Sequence, residues 1–246
     1  MKKLNQKFIY FICLVSAMGG LLFGYDWVVI GGAKPFYELF FGISDSPVMQ
    51  GIAMSTALVG CLIGAMVAGA MADKYGRKPL LIGAAVLFTV SAVATGAFDD
   101  FTLFNIARFI GGVGIGIASA LSPMYIAEVA PTEVRGRLVS LNQMTIVLGI
   151  LGAQIANWQI ADPLPEAISA MQVSGVAVQE AMADAFILES WNGQMGWRWM
   201  FWAEALPAAL FLVLAFFIPE SPRYMVMRGQ NKDALATLSM IGGEEY

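Results

Sequence analysis

The sequence predicts an all-α membrane protein with six transmembrane helices, and three observations carry that prediction. Of 246 residues, 58 % are hydrophobic and only 13 % charged, with a mean hydropathy of +0.69, which is not the surface of a chain dissolved in water. The apolar residues fall in runs of about 20 or more, the helix length that crosses a hydrocarbon core about 30 Å thick, whereas a β-barrel would show short alternating strands between turns. The loops between the runs alternate between cation-rich and cation-poor.

In chain order the expected spans are 8–32, 46–72, 79–98, 101–127, 138–161 and 199–219. The first follows Lys2, Lys3 and Lys7 and so imitates a signal peptide, with Ser16, Ala17 and Met18 as a poor cleavage site; the length of the run and the five spans after it argue otherwise. The second, third and fifth spans carry no charged residue. Each of the others carries one: Asp26, Arg108 and Glu204. A charge at membrane depth is costly and normally faces a partner or a water-filled cavity, so function is sought first at these positions.

Lys2, Lys3, Lys7, Lys74, Arg77, Lys78, Arg135, Arg137, Arg223, Arg228 and Lys232 fall on one side of the spans, and only Lys34 and Arg198 on the other. The positive-inside rule then places both termini in the cytoplasm, and the expected location is the cytoplasmic (inner) membrane, as a multi-pass protein. The net charge of −4 arises mostly from acids in the outer loops and implies neither a cationic partner nor nucleic acid. Cys13 and Cys61 lie inside spans and read as small buried hydrophobes rather than a disulfide or metal site. Histidine is absent, which excludes imidazole ligands and bases, and no nucleophile–base pair or metal cluster stands out. An enzyme is therefore the least expected class, and no cofactor is expected.

The bundle occupies residues 1–219, with a long extracytoplasmic loop at 162–198. Residues 166–189 alternate small apolar and acidic side chains, broken only by Gly175, and predict one surface helix. Residues 220–246 read as cytoplasmic, with Asn231 capping a helix over 232–240, and the tail from Gly242 to Tyr246 shows no closing element. Inside the membrane glycine dominates: Gly19, Gly20 and Gly24, then Gly60, Gly64 and Gly69, then Gly111, Gly112, Gly114 and Gly116, all able to bring helix backbones close.

The loop between the second and third spans reads Gly69-Ala70-Met71-Ala72-Asp73-Lys74-Tyr75-Gly76-Arg77-Lys78. Its composition alone fits a positive-inside anchor, but its spacing resembles the signature G-x-x-x-D-R/K-x-G-R-R/K of the major facilitator superfamily at every fixed position. Arg108-Phe109-Ile110-Gly111-Gly112-Val113-Gly114-Ile115-Gly116, Tyr125-Ile126-Ala127-Glu128 with Pro131 and Arg135-Gly136-Arg137, Gly196-Trp197-Arg198, and Pro219-Glu220-Ser221-Pro222-Arg223 narrow the resemblance to the sugar porter family, specifically bacterial sugar/proton symporters. It runs in order along essentially the whole chain. The G-P-x-x-G-G signature of drug/proton antiporters is missing from the fifth span, which reads Gly149-Ile150-Leu151-Gly152.

The resemblance implies the N-terminal half of a fold built from two six-helix halves, each a 3+3 inverted repeat, with alternating access to a monosaccharide between them. The missing half is then a C-terminal six-helix partner or a second copy, and 220–246 begins the linker between halves. Where facilitative glucose carriers of the family have an asparagine, this chain has Asp26, the acid that proton symporters carry. By resemblance Asp26 is the protonatable group and Arg108 its counter-charge, and physics agrees that the pair can titrate, since a guanidinium favours ionisation and burial opposes it. At 1.5 Å per residue, Asp26 sits about 27 Å above Phe8 and Arg108 about 12 Å below Asp100, so both fall in the outer half.

Asn142 and Gln143 suit hydrogen bonds to sugar hydroxyls or between helices; the resemblance favours sugar, with Gln143 at a sugar-contacting position and Phe23 offering a ring face. Ile150 stands where some pentose symporters carry a glutamine, so the sugar stays open. Glu204 and Arg198, beside Trp197, Trp199 and Trp202, read as an interfacial anchor with snorkelling charges. Asp73, Arg77, Glu128, Arg135, Glu220 and Arg223 resemble the network that latches the cytoplasmic gate. Monosaccharide import with a proton is the leading expectation; a facilitative carrier and a non-transporting sugar sensor or half-length subunit are the alternatives.

Overall fold

The computed structural model describes residues 5–172 and 176–242, and every regular element there is helical. Lys2, Lys3, Gly175 and residues 243–246 lie outside the described residues. Six helices are long and apolar enough to cross a membrane: α1 (Gln6–Phe40), α2 (Pro47–Tyr75), α3 (Arg77–Ala97), α4 (Phe101–Val129), α5 (Arg135–Ile160), and a last run, Asn192–Ala215, that begins with a π turn, Asn192–Gly196. Between the fifth and last of them lie α6 (Glu166–Gln172) and α7 (Ala177–Glu189); α8 (Trp197–Ala215) completes the last run, and α9 (Pro222–Met227) and α10 (Asn231–Gly242) follow.

Local sequence explains most of the boundaries. The side chains of Asn5, Ser46 and Asp100 accept from the backbone N–H groups of Phe8, Met49 and Leu103, capping α1, α2 and α4, and Pro47 occupies the first turn of α2, where its missing N–H has no cost. Helix α1 continues through Pro35 for 35 residues, eight beyond the expected stop at residue 32. Neighbouring helices re-satisfy backbone groups freed by a proline inside a membrane bundle. The extension makes Lys34 and Glu38 helical neighbours, 3.7 Å apart, and puts Asp26 well inside the helix rather than near its end.

Two helices expected on the outer and inner sides differ from the sequence reading. The surface helix over 166–189 is two helices, α6 and α7, flanking residues 173–175. Helix α7 turns Ala183 and Ile187 inward, and burial, with Glu180 and Asp45 alongside, pushes the Asp184 carboxyl above its usual range. The ends of the loop are tied by a reciprocal pair: Asn192 accepts the Asp162 N–H and donates to the Asp162 carbonyl, both at 2.8 Å. At α10 the helix starts on Asn231 itself, since the Gln230 carbonyl takes the Ala234 N–H; the cap is one residue earlier than expected.

Helices α1 and α4 form the centre, α5 packs on α1, α2 packs on α4, and α3 and α8 meet behind them. Exchanging the first three spans for the last three maps this arrangement onto itself, as a 3+3 repeat requires. The buried stripes of the flanking helices obey the same spacing: Ala53, Ala57, Gly60, Gly64, Ala68, Ala72 on α2 and Leu138, Asn142, Thr145, Gly149, Ala153, Asn157 on α5. A sequential stripe of small residues lets backbones touch, which in lipid replaces the hydrophobic drive available in water.

The glycines show how close. A Cβ on Gly60 or Gly64 of α2 would lie 2.3 or 2.2 Å from an α4 carbonyl, and on Gly112 or Gly116 of α4, 2.1 Å from an α2 carbonyl. Gly24 and Gly149 make the same reciprocal contact between α1 and α5, at 2.0 Å each. Gly83, by contrast, has nothing within 4 Å. Gly112→Ala is therefore expected to destabilise the bundle by about 1–3 kcal/mol through overpacking, and Gly83→Ala to be neutral or stabilising by up to about 1 kcal/mol through helix propensity. Thermal unfolding of both variants in detergent checks this, and equal shifts would rule out the backbone contact as the cause.

Candidate functional site

The charges at membrane depth meet where α1 and α4 cross. Arg108 Nη2 donates to Asp26 Oδ2 at 3.2 Å, and Nη1 donates to Oδ1, a two-pronged pair. Asp26 is 6 % exposed and Arg108 3 %, so Asp26 is not an exposed helix-end acid. Phe201 of α8 supports the guanidinium from one side, its ring centroid 5.5 Å away. Beside the pair, between α1, α2 and α4, lies a cavity of about 210 Å³ bordered by Phe23, Trp27, Cys61, Asp26 and Arg108.

A third buried charge joins them. Glu204 of α8 is 2 % exposed, near enough to Asp26 and Arg108 to interact with both charges, and its Oε1 has no hydrogen-bond partner among the described residues. The Tyr25 hydroxyl, also buried without a partner among the described residues, lies within electrostatic reach of Glu204. The interfacial-anchor reading of Glu204 is thus corrected. Arg198 is corrected with it: its guanidinium bonds the Gly96 carbonyl at 2.9 Å and Asp99 at 2.5 Å and rests against the rings of Phe40 and Trp197, closing the α3–α4 turn onto α8. The missed signal was the helical start at Asn192; with the span opened at Trp199, Glu204 looked terminal.

Two carboxylates to one guanidinium give the buried group a formal surplus of one negative charge. Charge buried without compensation is expensive, and a single proton would neutralise the group. Arg108 is thus bonded to one carboxylate, Asp26, with a second, Glu204, within electrostatic reach.

The residues expected to touch sugar are not gathered in that cavity. Phe23 borders it, but Gln143 is exposed on the open face of α5. Asn142 is buried in the α1–α5 seam, where its Oδ1 would lie 2.8 Å from a Cβ on Gly20.

On the opposite side of the bundle, Arg77 donates Nε and Nη2 to the two oxygens of Glu128, each at 2.9 Å, with Asp73 3.2 Å away. Ser221 Oγ donates to Glu128 at 2.5 Å, and Arg223 stands 3.9 Å off. Glu220 accepts the backbone N–H groups of Arg77 at 2.9 Å and Lys78 at 3.3 Å, placing a carboxylate on the N-terminus of α3. That approach needs Gly76, whose φ of +98° suits glycine and where a Cβ would sit 2.2 Å from Glu220 Oε2. Arg135 instead donates to the Ala130 carbonyl at 3.4 Å and forms no ion pair among the described residues.

A six-helix inverted repeat with buried charges at its central crossing defines one half of a major facilitator fold. The comparisons agree: the family model described as Sugar (and other) transporter matches residues 12–246, and the chain belongs to that family. The "Glucose transport protein" of Synechocystis sp. is 43 % identical, the alignment covering 97 % of this chain and 47 % of that protein. The "D-xylose-proton symporter" of Escherichia coli K12 is 38 % identical, with 97 % and 49 % covered. Among solved structures, the proton:xylose symporter XylE bound to 6-bromo-6-deoxy-D-glucose superposes with a TM-score of 0.83 at 36 % identity, over 98 % of this chain and 51 % of that one. The chain spans about half the length of the curated relatives it matches.

Proposed function

We propose that this chain supplies one half of a secondary transporter that imports a monosaccharide together with a proton across the cytoplasmic membrane, both termini facing the cytoplasm. The observation that carries the reading is the buried group of Asp26, Arg108 and Glu204, whose surplus negative charge one proton neutralises. Family relatives named for glucose, xylose and arabinose support the substrate class, and those named as proton symporters support the coupling.

In this mechanism a proton on Asp26 weakens its hold on the guanidinium, Arg108 turns toward Glu204, and α1 is freed to shift against α4. Buried charge pairs are held by geometry, so a small change in ionisation produces a discrete rearrangement. A second six-helix half closes the sugar cavity opposite Phe23 and Gln143, with Asn142 behind them. Asp73, Arg77, Glu128, Glu220 and Arg223 hold the cytoplasmic ends together in the outward-facing state and part in the inward-facing one, with Arg135 joining as the ends move.

The test uses the full-length protein in liposomes with a weakly buffered exterior. Addition of D-glucose, D-xylose or L-arabinose is expected to raise the external pH as sugar enters. Sugar entry with no pH change would reduce the function to facilitated diffusion, and no entry of any sugar would remove the sugar reading.

A further inference from the structure

We infer that the outer parts of α1 and α5 form a second monosaccharide subsite, separate from the Gln143 position, built from the Trp27 ring and the amides of Gln154 and Asn157. The inference rests on the sugar-transport reading and extends it to the route of entry. A groove of about 490 Å³ runs between these helices, bordered by Trp27, Gly31, Gly32, Gln154 and Asn157. Its size falls within the roughly 300–1,000 Å³ of small-molecule sites.

The groove has the chemistry a sugar ring selects. Trp27 is 55 % exposed although it lies inside a membrane helix, and an indole face packs against the C–H face of a pyranose. Gln154 is exposed in the groove wall. Asn157 is 8 % exposed; its Nδ2 donates to the Val29 carbonyl at 3.4 Å while its Oδ1, buried, has no partner among the described residues. An unpartnered buried acceptor costs free energy until a donor arrives, and a sugar hydroxyl is such a donor. Among the described residues Gly31 has nothing within 4 Å, which leaves the groove floor flat, and no charged residue borders it, so it selects a neutral polyol over an ion.

Geometry separates this subsite from the lower one. Gln154 is 11 residues beyond Gln143, which is about 16 Å up α5 at an angular offset of only about 20°, so both amides share one wall yet no single monosaccharide spans them. The aromatic partners follow the same order on α1, Phe23 below and Trp27 above. Trp27 also borders the cavity that holds Asp26 and Arg108, so a sugar stacked on its ring lies against the proton site before reaching Gln143.

A subsite at the outer mouth acts on sugar arriving from one side only. With full-length protein in right-side-out and inside-out vesicles, zero-trans uptake of D-glucose, D-xylose and L-arabinose is measured for the wild type, Gln154→Ala and Gln143→Ala. Gln154→Ala is expected to raise KM from the outer side about three- to tenfold, the loss of one neutral hydrogen bond, and to leave KM from the inner side within about twofold. Gln143→Ala is expected to raise both. Equal shifts on the two sides, or no shift, with Gln154→Ala would overturn the subsite while leaving sugar transport standing; a wild type that moves none of the sugars would overturn both.

Discussion

Asp26→Asn is expected to abolish accumulation of sugar against its gradient while leaving sugar counterflow intact. The substitution preserves shape and an acceptor for Arg108 but removes the group that can bind and release a proton. One charge moving through 100 mV is worth about 2.3 kcal/mol, so a one-proton symporter can concentrate sugar roughly 50-fold at that potential. The variant, with no proton to carry, should equilibrate sugar at a ratio of about one under the same potential, whatever its exchange rate. Measurement of steady-state accumulation and of counterflow in the same liposome preparation separates coupling from binding. Unchanged accumulation would show that Asp26 is not the coupling group. Glu204→Gln is the companion variant: accumulation lost there and kept in Asp26→Asn would move the proton to Glu204, which faces the same guanidinium.

The spans were legible in the sequence because they depend on run length, and lone charges at membrane depth singled out Asp26, Arg108 and Glu204; the pairing of Asp26 with Arg108 came from the family resemblance. Which way a polar side chain faces is a different matter, because it depends on the register between helices far apart in the chain. Gln143 and Asn142 are adjacent residues of one type on one apolar helix, yet one faces the open side and the other packs against Gly20 of α1. Glu204 carried a usable signal, a single acid within an apolar run, but Trp197, Trp199 and Trp202 resembled an aromatic belt. The structure instead buries Trp197 among Phe40, Phe41, Phe104 and Phe201, so part of the apparent belt is core, and the helix begins a turn earlier than the tryptophans suggest. The outer loop, read from its composition as one helix over 166–189, holds two, Glu166–Gln172 and Ala177–Glu189.

Arg77→Leu is expected to be among the most destabilising single changes at the end of the bundle that holds the Arg77–Glu128 pair, at about 3–5 kcal/mol, because it strands a buried carboxylate. The side chains of Arg77 and Glu128 are only 4 % and 6 % exposed, unlike the Lys34–Glu38 pair, where the lysine is 42 % exposed. Without Arg77, Glu128 retains the Ser221 hydroxyl and an exposed Arg223 at 3.9 Å. Without Glu128, Arg77 still has Asp73 at 3.2 Å and the Ala72 carbonyl at 2.9 Å, so Glu128→Leu should cost less than Arg77→Leu. The double variant should cost less than the sum, since a buried pair replaced by apolar side chains loses its desolvation penalty along with its attraction. Unfolding of the three variants in detergent measures the coupling, and strict additivity would mean that the two groups act independently. A strong coupling has a further consequence for transport. The bond joins the start of α3 to the end of α4 and, through Ser221, to α9; on the proposed mechanism its energy favours closed cytoplasmic ends, and the double variant should bias the full-length protein toward its inward-facing state even where its stability recovers.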